Sequence, residues 1–470
     1  MPLMREFTLR QRMLPAFERG ALLGLFWLAT AGLAGMAAAR PFWIRWEALN
    51  AYGEALDWTT AIGKGCGGAA LVLLLVQALL GARSRWMDAL FGLDLVYRVH
   101  RLLAVGILVL ITLHPMFLHF YRPFAQELAW SAWPLVLGSL VLAGLWISAV
   151  LARFRRFVEL PYHWWQLGHR LAAWPLLFGA FVHVLSVSED YRRFPGIVMA
   201  LLGLAFLVVL ALRTRLLKRF GFARTPHVVQ AVRPPSPEFP DAVELILAPQ
   251  PGARGLQFTP GQFVFLLPES KAVPAEEHPF TIASAPDSLP RLSFTIRCCG
   301  DFTSRLGQLA PGDTVLVDGP YGRFSYAGLA PMNSPLLLVA GGVGITPMLS
   351  MLRTLAHEQD PRALCLVWST RTREDVLHAQ ELRELEVALE NLRVIHVFSR
   401  QRMSANLAER SGRLRPSILK DALAILPHTP QDPPPHAFIC GPASMMLVAR
   451  QSLLGLGMPA RRIHVERFSL

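Results

Sequence analysis

The chain holds 470 residues, 53% of them hydrophobic, with a mean hydropathy of +0.37 and a formal net charge of +13. It is too apolar for an ordinary soluble enzyme and too long for one domain, which leaves a membrane part joined to a soluble part. The charge does not indicate nucleic acid, because much of it is Arg flanking apolar segments. The five cysteines (Cys66, Cys298, Cys299, Cys365, Cys440) form no CxxC pair and exclude iron–sulfur or zinc spacing and a disulfide framework.

Six segments, near 20–39, 57–81, 99–120, 130–152, 165–187 and 195–212, reach the roughly 20 residues a helix needs to cross a bilayer. The first has no separate small-residue cleavage site and reads as a retained span. Positive residues gather in the N-tail (Arg5, Arg10, Arg12, Arg19) and after spans 2 (Arg83, Arg85, Arg98), 4 (Arg153, Arg155, Arg156) and 6 (Arg213, Arg215, Lys218, Arg219). The opposite side carries only Arg40, Arg45, Arg122, Arg192 and Arg193. The positive-inside rule therefore puts both termini in the cytoplasm, in an integral membrane protein suited to a bacterial inner membrane.

Spans 3 and 5 carry matched stretches, "HRLLAVGILVLITLH" from His100 to His114 and "HRLAAWPLLFGAFVH" from His169 to His183. At 100° per residue, a step of fourteen returns to within about 40° of its starting direction and rises about 21 Å. Each pair thus lies on one helix face, with one His near each side of the membrane. Both spans run inside to outside, so His100 can face His169 and His114 can face His183. Two layers of paired imidazoles suit two bis-histidine haems, and buried ionisable groups in a bilayer are usually functional. Arg101 and Arg170 can neutralise haem propionates or snorkel to the interface. His163 reads as interfacial.

Beyond span 6, "HVVQAV", "DAVELILAP", "GQFVFLLP", "RLSFTIRC" and "DTVLVDGP" read as short strands of an antiparallel barrel. From "SPLLLVAGGVGITPMLSML" strands alternate with helices, predicting a parallel α/β domain. The boundaries predict a six-helix transmembrane part over 1–217, a β-barrel over 222–327 and an α/β domain over 328–470. In "HPFTIASAP", His278, Pro279, Phe280 and Thr281 supply groups suited to a diphosphate, an isoalloxazine face and a flavin nitrogen. In "GDFTSRL", Gly300 turns the chain into a short helix and Thr303 adds a donor for an anion. In "LLLVAGGVGITP", an apolar strand leads through Gly341, Gly342 and Gly344 into a helix at Thr346-Pro347. That context favours a dinucleotide, with the glycines allowing close backbone approach to the diphosphate.

Taken in order, "HPFTIASAP", "GDFTSRL", "DGPYG", "AGGVGITP", "FICGP" and "HVERFSL", with the four histidines upstream, resemble the NADPH oxidase and ferric reductase superfamily over about residues 56–470. The resemblance implies a six-helix transmembrane haem bundle followed by a ferredoxin–NADP reductase-like module. It implies FAD on the barrel, with Phe280 along the flavin, Thr281 near its N5, His278 on the diphosphate, and Gly300 and Thr303 on the remaining phosphate. The glycine turn with Thr346, and Cys440-Gly441-Pro442, are expected to hold the nicotinamide nucleotide. Cys440 then lies near the site of hydride transfer, and Phe468 covers the flavin until nicotinamide displaces it. Arg371 and Ser399-Arg400 can meet the 2′-phosphate of NADPH, which favours NADPH over NADH.

The implied activity is electron transfer from cytosolic NADPH through FAD and two haems to an acceptor outside. Oxygen, giving superoxide, is preferred; a ferric chelate or a periplasmic redox partner are the alternatives. Lys64 at the outer end of span 2 can supply charge for superoxide formation or sit at the interface. His119, five residues past His114, is turned about 100° away from the place four residues on where oxidases carry an extra His. The lipid bilayer and a small-molecule acceptor are the expected partners, with no obligatory protein partner.

Overall fold

A computed structural model describes residues 16–52, 58–82, 85–119, 133–155, 157–160, 162–187, 205, 208–209, 224–235, 241–253, 255–331, 333–402, 408–426 and 433–468. The chain divides into two compact units, one spanning Ala16–Leu217 and one containing Lys218–Leu470.

The first unit is helical: α1 (Ala16–Tyr52), α2 (Trp58–Gly81), α3 (Arg85–Phe91), α4 (Leu93–His119), α5 (Trp133–Phe154) and α6 (Tyr162–Val187). Among the described residues, five helices carry stretches long and apolar enough to cross a membrane, with mean hydropathies from 1.5 to 2.3. The expected sixth span near 195–212 lies outside the described residues apart from Ala205, Val208 and Val209. The first helix outruns its expected end at residue 39, continuing through Pro41 to Tyr52. Its added turns carry Phe42, Trp43 and Trp46, aromatic residues that suit a membrane–water interface.

Helix α2 is the centre of this unit, packed on both α1 and α4. Its first half is rich in Gly and Ala (Ala61, Gly63, Gly65, Gly67, Gly68, Ala69 and Ala70), and small residues let helix backbones approach closely where no hydrophobic effect drives them together. A Cβ at Gly65 would sit 2.7 Å from the Ala38 carbonyl oxygen of α1. One at Gly63 would meet the His114 carbonyl oxygen of α4 at 3.1 Å.

The second unit holds two sheets. The first is antiparallel and barrel-like, ordered β4-β3-β6-β1-β2-β5, from β1 (Thr225–Arg233), β2 (Ala242–Pro249), β3 (Phe263–Glu269), β4 (His278–Thr281), β5 (Leu292–Arg297) and β6 (Thr314–Tyr321). Alternate residues such as Leu245, Leu247, Val264, Leu266, Phe294 and Ile296 fill its interior. A short helix, α7 (Tyr326–Leu329), leads to the second sheet.

That sheet is parallel throughout, ordered β10-β9-β8-β7-β11-β12. In chain order it runs β7 (Leu336–Gly341), α8 (Thr346–His357), β8 (Leu364–Thr370), α9 (Ala379–Ala388), β9 (Leu392–Phe398), β10 (Glu409–Ser411), α10 (Pro416–Ile425), β11 (His436–Cys440), α11 (Ala443–Gly455) and β12 (Ile463–Glu466). Leu336, Leu338 and Ala340 of β7 pack with α8 and α9, while Leu337 and Val339 pack with α10 and α11. A strand covered on both faces must be apolar at every position, which is why β7 reads as an unbroken hydrophobic run.

Candidate functional site

In the helical unit the four singled-out histidines meet in two pairs. The His100 and His169 ring centroids lie 6.4 Å apart with ring planes at 80°, and those of His114 and His183 lie 6.2 Å apart at 85°. Each ring is oriented through Nδ1: His100 on the Gln77 carbonyl oxygen at 3.2 Å, His114 on that of Gly63 at 2.7 Å, His183 on that of Pro134 at 2.7 Å. His169 differs, bonding the Ser148 hydroxyl at 2.8 Å and stacking on Trp165 at 5.4 Å. Engaging one imidazole nitrogen in this way fixes the ring for metal ligation through the other.

The separations test the fit to a shared metal ion. Two imidazoles bonded to one ion at about 2.0–2.1 Å, each with a ring radius of about 1.1 Å, have centroids about 6.3 Å apart. Both pairs match that distance. Among the described residues no three or more His, Cys, Asp or Glu side chains gather as a metal-ion site, so the histidines form two separate pairs and no closed cage. A macrocycle that supplies its own equatorial ligands is what two axial imidazoles suit.

Glycines make room for these rings. A Cβ at Gly67 would lie 2.7 Å from His114 Nδ1, and one at Gly138 would lie 2.6 Å from His183 Cε1. Sequence reading passed over both, because nothing local distinguishes them from other helical glycines. Lys64 is exposed and adjoins Gly63, which places it in the chain beside the residue that holds His114. The side chains of His119 and His163 lie outside the described residues.

On the barrel, β4 pairs antiparallel with β3, setting Thr281 opposite Phe263, Phe280 opposite Val264, Pro279 opposite Phe265 and His278 opposite Leu266. The His278 ring stacks on Phe302 at 4.1 Å, and Phe280 lies parallel to the same ring at 6.4 Å and 15°. Phe302 joins the two motifs: it belongs to "GDFTSRL", and its aromatic character was the signal that could have singled it out. Glu276 reaches His278 Nε2 at 3.0 Å and sets a carboxylate beside the nitrogen expected to meet a diphosphate. Gly300 adopts a φ of +129°, which an L side chain rarely takes, and a Cβ there would meet nothing within 4 Å. The expected short helix beyond it is six residues of 3₁₀ helix, Thr303–Gln308, and the Thr303 hydroxyl accepts the Cys299 amide N–H at 2.8 Å.

The strand order of the parallel sheet reverses between β7 and β11, and in such sheets ligands bind outside the carboxyl ends of the strands at that point. The glycine turn follows β7 there, and Cys440-Gly441-Pro442 follows β11. Two of the three expected glycines serve contacts within the chain. A Cβ at Gly344 would lie 2.4 Å from the Cys440 carbonyl oxygen, and one at Gly341 would lie 2.6 Å from Met445 Sδ. Gly342, with a φ of +52° and open space beyond its Cα, is the one that faces outward. The Trp368 indole donates to its carbonyl oxygen at 3.1 Å and pins the turn. Thr346 is buried and donates to the Val343 carbonyl oxygen at 3.1 Å, opening α8 with Pro347 in its first turn.

Cys440 is fully buried and pairs with Glu466 of β12; exposed Phe468 stands two residues beyond. Arg371, Ser399 and Arg400 come together at the ends of adjacent strands, since the Ser399 amide donates to Thr370 and the Arg400 amide to Arg371. Asp375 holds the Arg371 guanidinium through two contacts at 3.2 Å, a pairing that the sequence pattern did not reveal.

Fold and site together define a flavin-dependent NAD(P)H oxidoreductase carried on membrane helices. Residues 66–180 match the ferric reductase like transmembrane component, 241–325 an FAD-binding domain and 338–451 the oxidoreductase NAD-binding domain. The chain belongs to the NADPH oxidase/ferric reductase superfamily, whose architecture is this combination. Ferredoxin–NADP reductase B of Sorangium cellulosum is 32% identical over 244 residues, 51% of this chain and 95% of that protein. The flavohemoprotein of Bordetella pertussis is 26% identical over 250 residues, 50% of this chain and 58% of that one. Among solved structures, the flavohemoglobin of Malassezia yamatoensis aligns with a TM-score of 0.49 at 19% identity, over 86% of this chain and 95% of that one.

Proposed function

We propose that the protein passes electrons from cytosolic NADPH through FAD and two bis-histidine b-type haems to oxygen on the outer face, giving superoxide. The parts are a membrane domain over 1–217, an FAD barrel over 222–327 and a nucleotide domain over 328–470. The observation that carries the reading is the meeting of four histidines as two imidazole pairs, 6.4 and 6.2 Å between centroids, in one helical unit. When bound, the flavin converts a two-electron donor into single electrons and haem iron relays them one at a time.

The chain's own residues supply position. His100 with His169, and His114 with His183, would hold the two haem irons. Phe280 and Thr281 orient the flavin, with His278, Gly300 and Thr303 toward its phosphates. Gly342 and the start of α8 receive the nucleotide diphosphate, and Cys440-Gly441-Pro442 brings the nicotinamide to the flavin, which Phe468 covers in the nucleotide's absence. Arg371, Ser399 and Arg400 read the 2′-phosphate, in keeping with the similarity to a ferredoxin–NADP reductase. Lys64 provides positive charge beside the outer pair. The excess of Arg on the loops assigned to the inside supports inward-facing termini, in a bacterial inner membrane.

A second reading, reduction of an extracellular ferric chelate, draws support from the ferric reductase like match over residues 66–180. The test is anaerobic. The purified, FAD-supplemented protein is reduced with NADPH, its haem spectrum recorded, and oxygen then admitted. Reduced bis-histidine haem that oxygen reoxidises with superoxide formation supports the oxidase reading. Reoxidation by a ferric chelate in preference to oxygen moves the assignment to the second reading, and a spectrum without haem removes both.

A further inference from the structure

Helix α8 begins at the glycine turn and carries a polar stripe at Ser350, Arg353 and His357, spaced three and four residues apart and therefore on one face. All three reach the segment that follows the His278–Thr281 strand. Ser350 Oγ donates to the Ser284 carbonyl oxygen at 2.7 Å. Arg353 Nη1 donates to the Ala283 carbonyl oxygen at 2.7 Å, and His357 Nδ1 meets Asp287 Oδ2 at 3.3 Å. None of the three belongs to a flavin or nucleotide motif.

The stripe is itself braced. Glu381 of α9 grips Arg353 through both carboxylate oxygens, at 2.6 and 2.7 Å. Buried His378, just before α9, is 3.4 Å from the same carboxylate and 2.8 Å from the Thr295 hydroxyl of β5. On the barrel side, the Ala283 amide donates to the Ser293 carbonyl oxygen at 2.8 Å, tying the segment to β5. Close packing continues along the seam, where a Cβ at Gly261 would lie 2.8 Å from Met351 Cε of α8. A cleft of about 570 Å³ on the solvent side is lined by Arg233, Glu244, Arg353, His378, Glu381 and Glu384.

We infer that Arg353, seconded by Ser350, is a positioning residue that holds the nucleotide-receiving turn in register with the flavin strand. One end of α8 receives the nucleotide, and the stripe fastens the same helix to the residues two and three beyond Thr281. The register of hydride transfer is thereby set by a clamp some seven residues from the turn. This rests on the FAD and nucleotide reading above. The step it serves oxidises one NADPH to NADP⁺ and delivers its hydride, two electrons and a proton, to one flavin, with a second proton taken from solvent.

The test uses the full-length, FAD-loaded chain in detergent and anaerobic stopped-flow. For Arg353→Met, the limiting rate of flavin reduction is expected to fall about 100-fold, with half-saturating NADPH changed by no more than about threefold, as for lost orientation at unchanged binding. The long-wavelength absorbance of NADP⁺ stacked on reduced flavin is expected to vanish, and Arg353→Lys to restore part of both. In the flavin-free protein, amide exchange over residues 282–287 is expected to quicken. Wild-type rate and absorbance in Arg353→Met overturn the proposal. Should that variant fail to fold, Ser350→Ala decides: a limiting rate about 10-fold lower sustains the clamp, and an unchanged one sinks it. A wild-type chain whose flavin NADPH does not reduce refutes the functional reading itself, whatever Arg353 does.

Discussion

Single atoms decide two parts of the site. Gly138 leaves room for the His183 ring, which the Pro134 carbonyl oxygen holds at 2.7 Å and cannot release without losing its orientation. Gly138→Ala would put a methyl group 2.6 Å from that ring. On the proposed two-haem reading, the expected result is a folded, membrane-inserted protein whose haem-to-flavin ratio falls from two to about one, by pyridine haemochrome and flavin fluorescence. A ratio unchanged from wild type would remove His183 from the ligand set. At the other end, Arg371→Ala is expected to raise half-saturating NADPH about 10- to 100-fold and leave NADH unaffected, since a hydrogen bond to a charged group contributes about 1.5–3 kcal/mol. Equal losses with both nucleotides would show that the 2′-phosphate is read elsewhere.

At the scale of elements, β11 and β12 begin with a feature unrelated to the nucleotide edge. His436 Nδ1 and His464 Nε2 are 3.0 Å apart, and the rings stack at 5.3 Å and 13°. Burial, with the charge of Arg462, pushes the His436 imidazole down to about 4. Burial, with the neighbouring His436, pushes that of His464 down to about 4. Both folded values lie below the ordinary 6.5, so on acidification the unfolded chain takes up protons that the folded pair refuses. The contribution to stability is whole above about pH 6.5 and is lost as pH falls toward 4. The thermal midpoint of the second unit is therefore expected to drop steeply across that window, and His464→Gln to flatten the slope. Parallel wild-type and variant profiles would show that the pair does not control acid stability. His378 shifts in the same direction, through burial and the Arg353 charge. Burial alone would raise Glu381, but the hydrogen bonds and charge of Arg353 bring it below the usual carboxylate value, so the Glu381 carboxylate that grips Arg353 stays ionised at neutral pH.

At the scale of the whole molecule, the proposed direction of flow has its own measurement. In sealed vesicles oriented with the C-terminal half outward, external NADPH is expected to reduce an impermeant acceptor trapped in the lumen and to leave the same acceptor outside untouched. Superoxide-dismutase-sensitive reduction of trapped cytochrome c would identify oxygen as the carrier, and reduction of the external acceptor would contradict transmembrane flow. On that proposal the two vesicle faces would correspond to the two His layers, which helical rise separates by about 21 Å within each span.

Sequence alone determined what depends on neighbours along the chain. The places of five spans follow from runs of apolar residues, though not the length of the first, which runs on past residue 39 to Tyr52; the two His layers follow from the 3.6-residue helical period, and the buried central strand β7 from its unbroken "LLLVA". The motif order sufficed for the superfamily. Tertiary structure alone decided what depends on residues distant in sequence. Pro134 reaches His183 across 49 positions and Ser148 reaches His169 across 21. Arg353 reaches Ala283 across 70. Gly341 and Gly344 illustrate the difference: their spacing suggested a diphosphate, whereas the fold presses both against the segment around Cys440 and Met445 and leaves Gly342 to face outward. Local periodicity fixes the face on which a side chain stands but not, by itself, which distant segment it will meet, because that is settled only when the finished elements pack together.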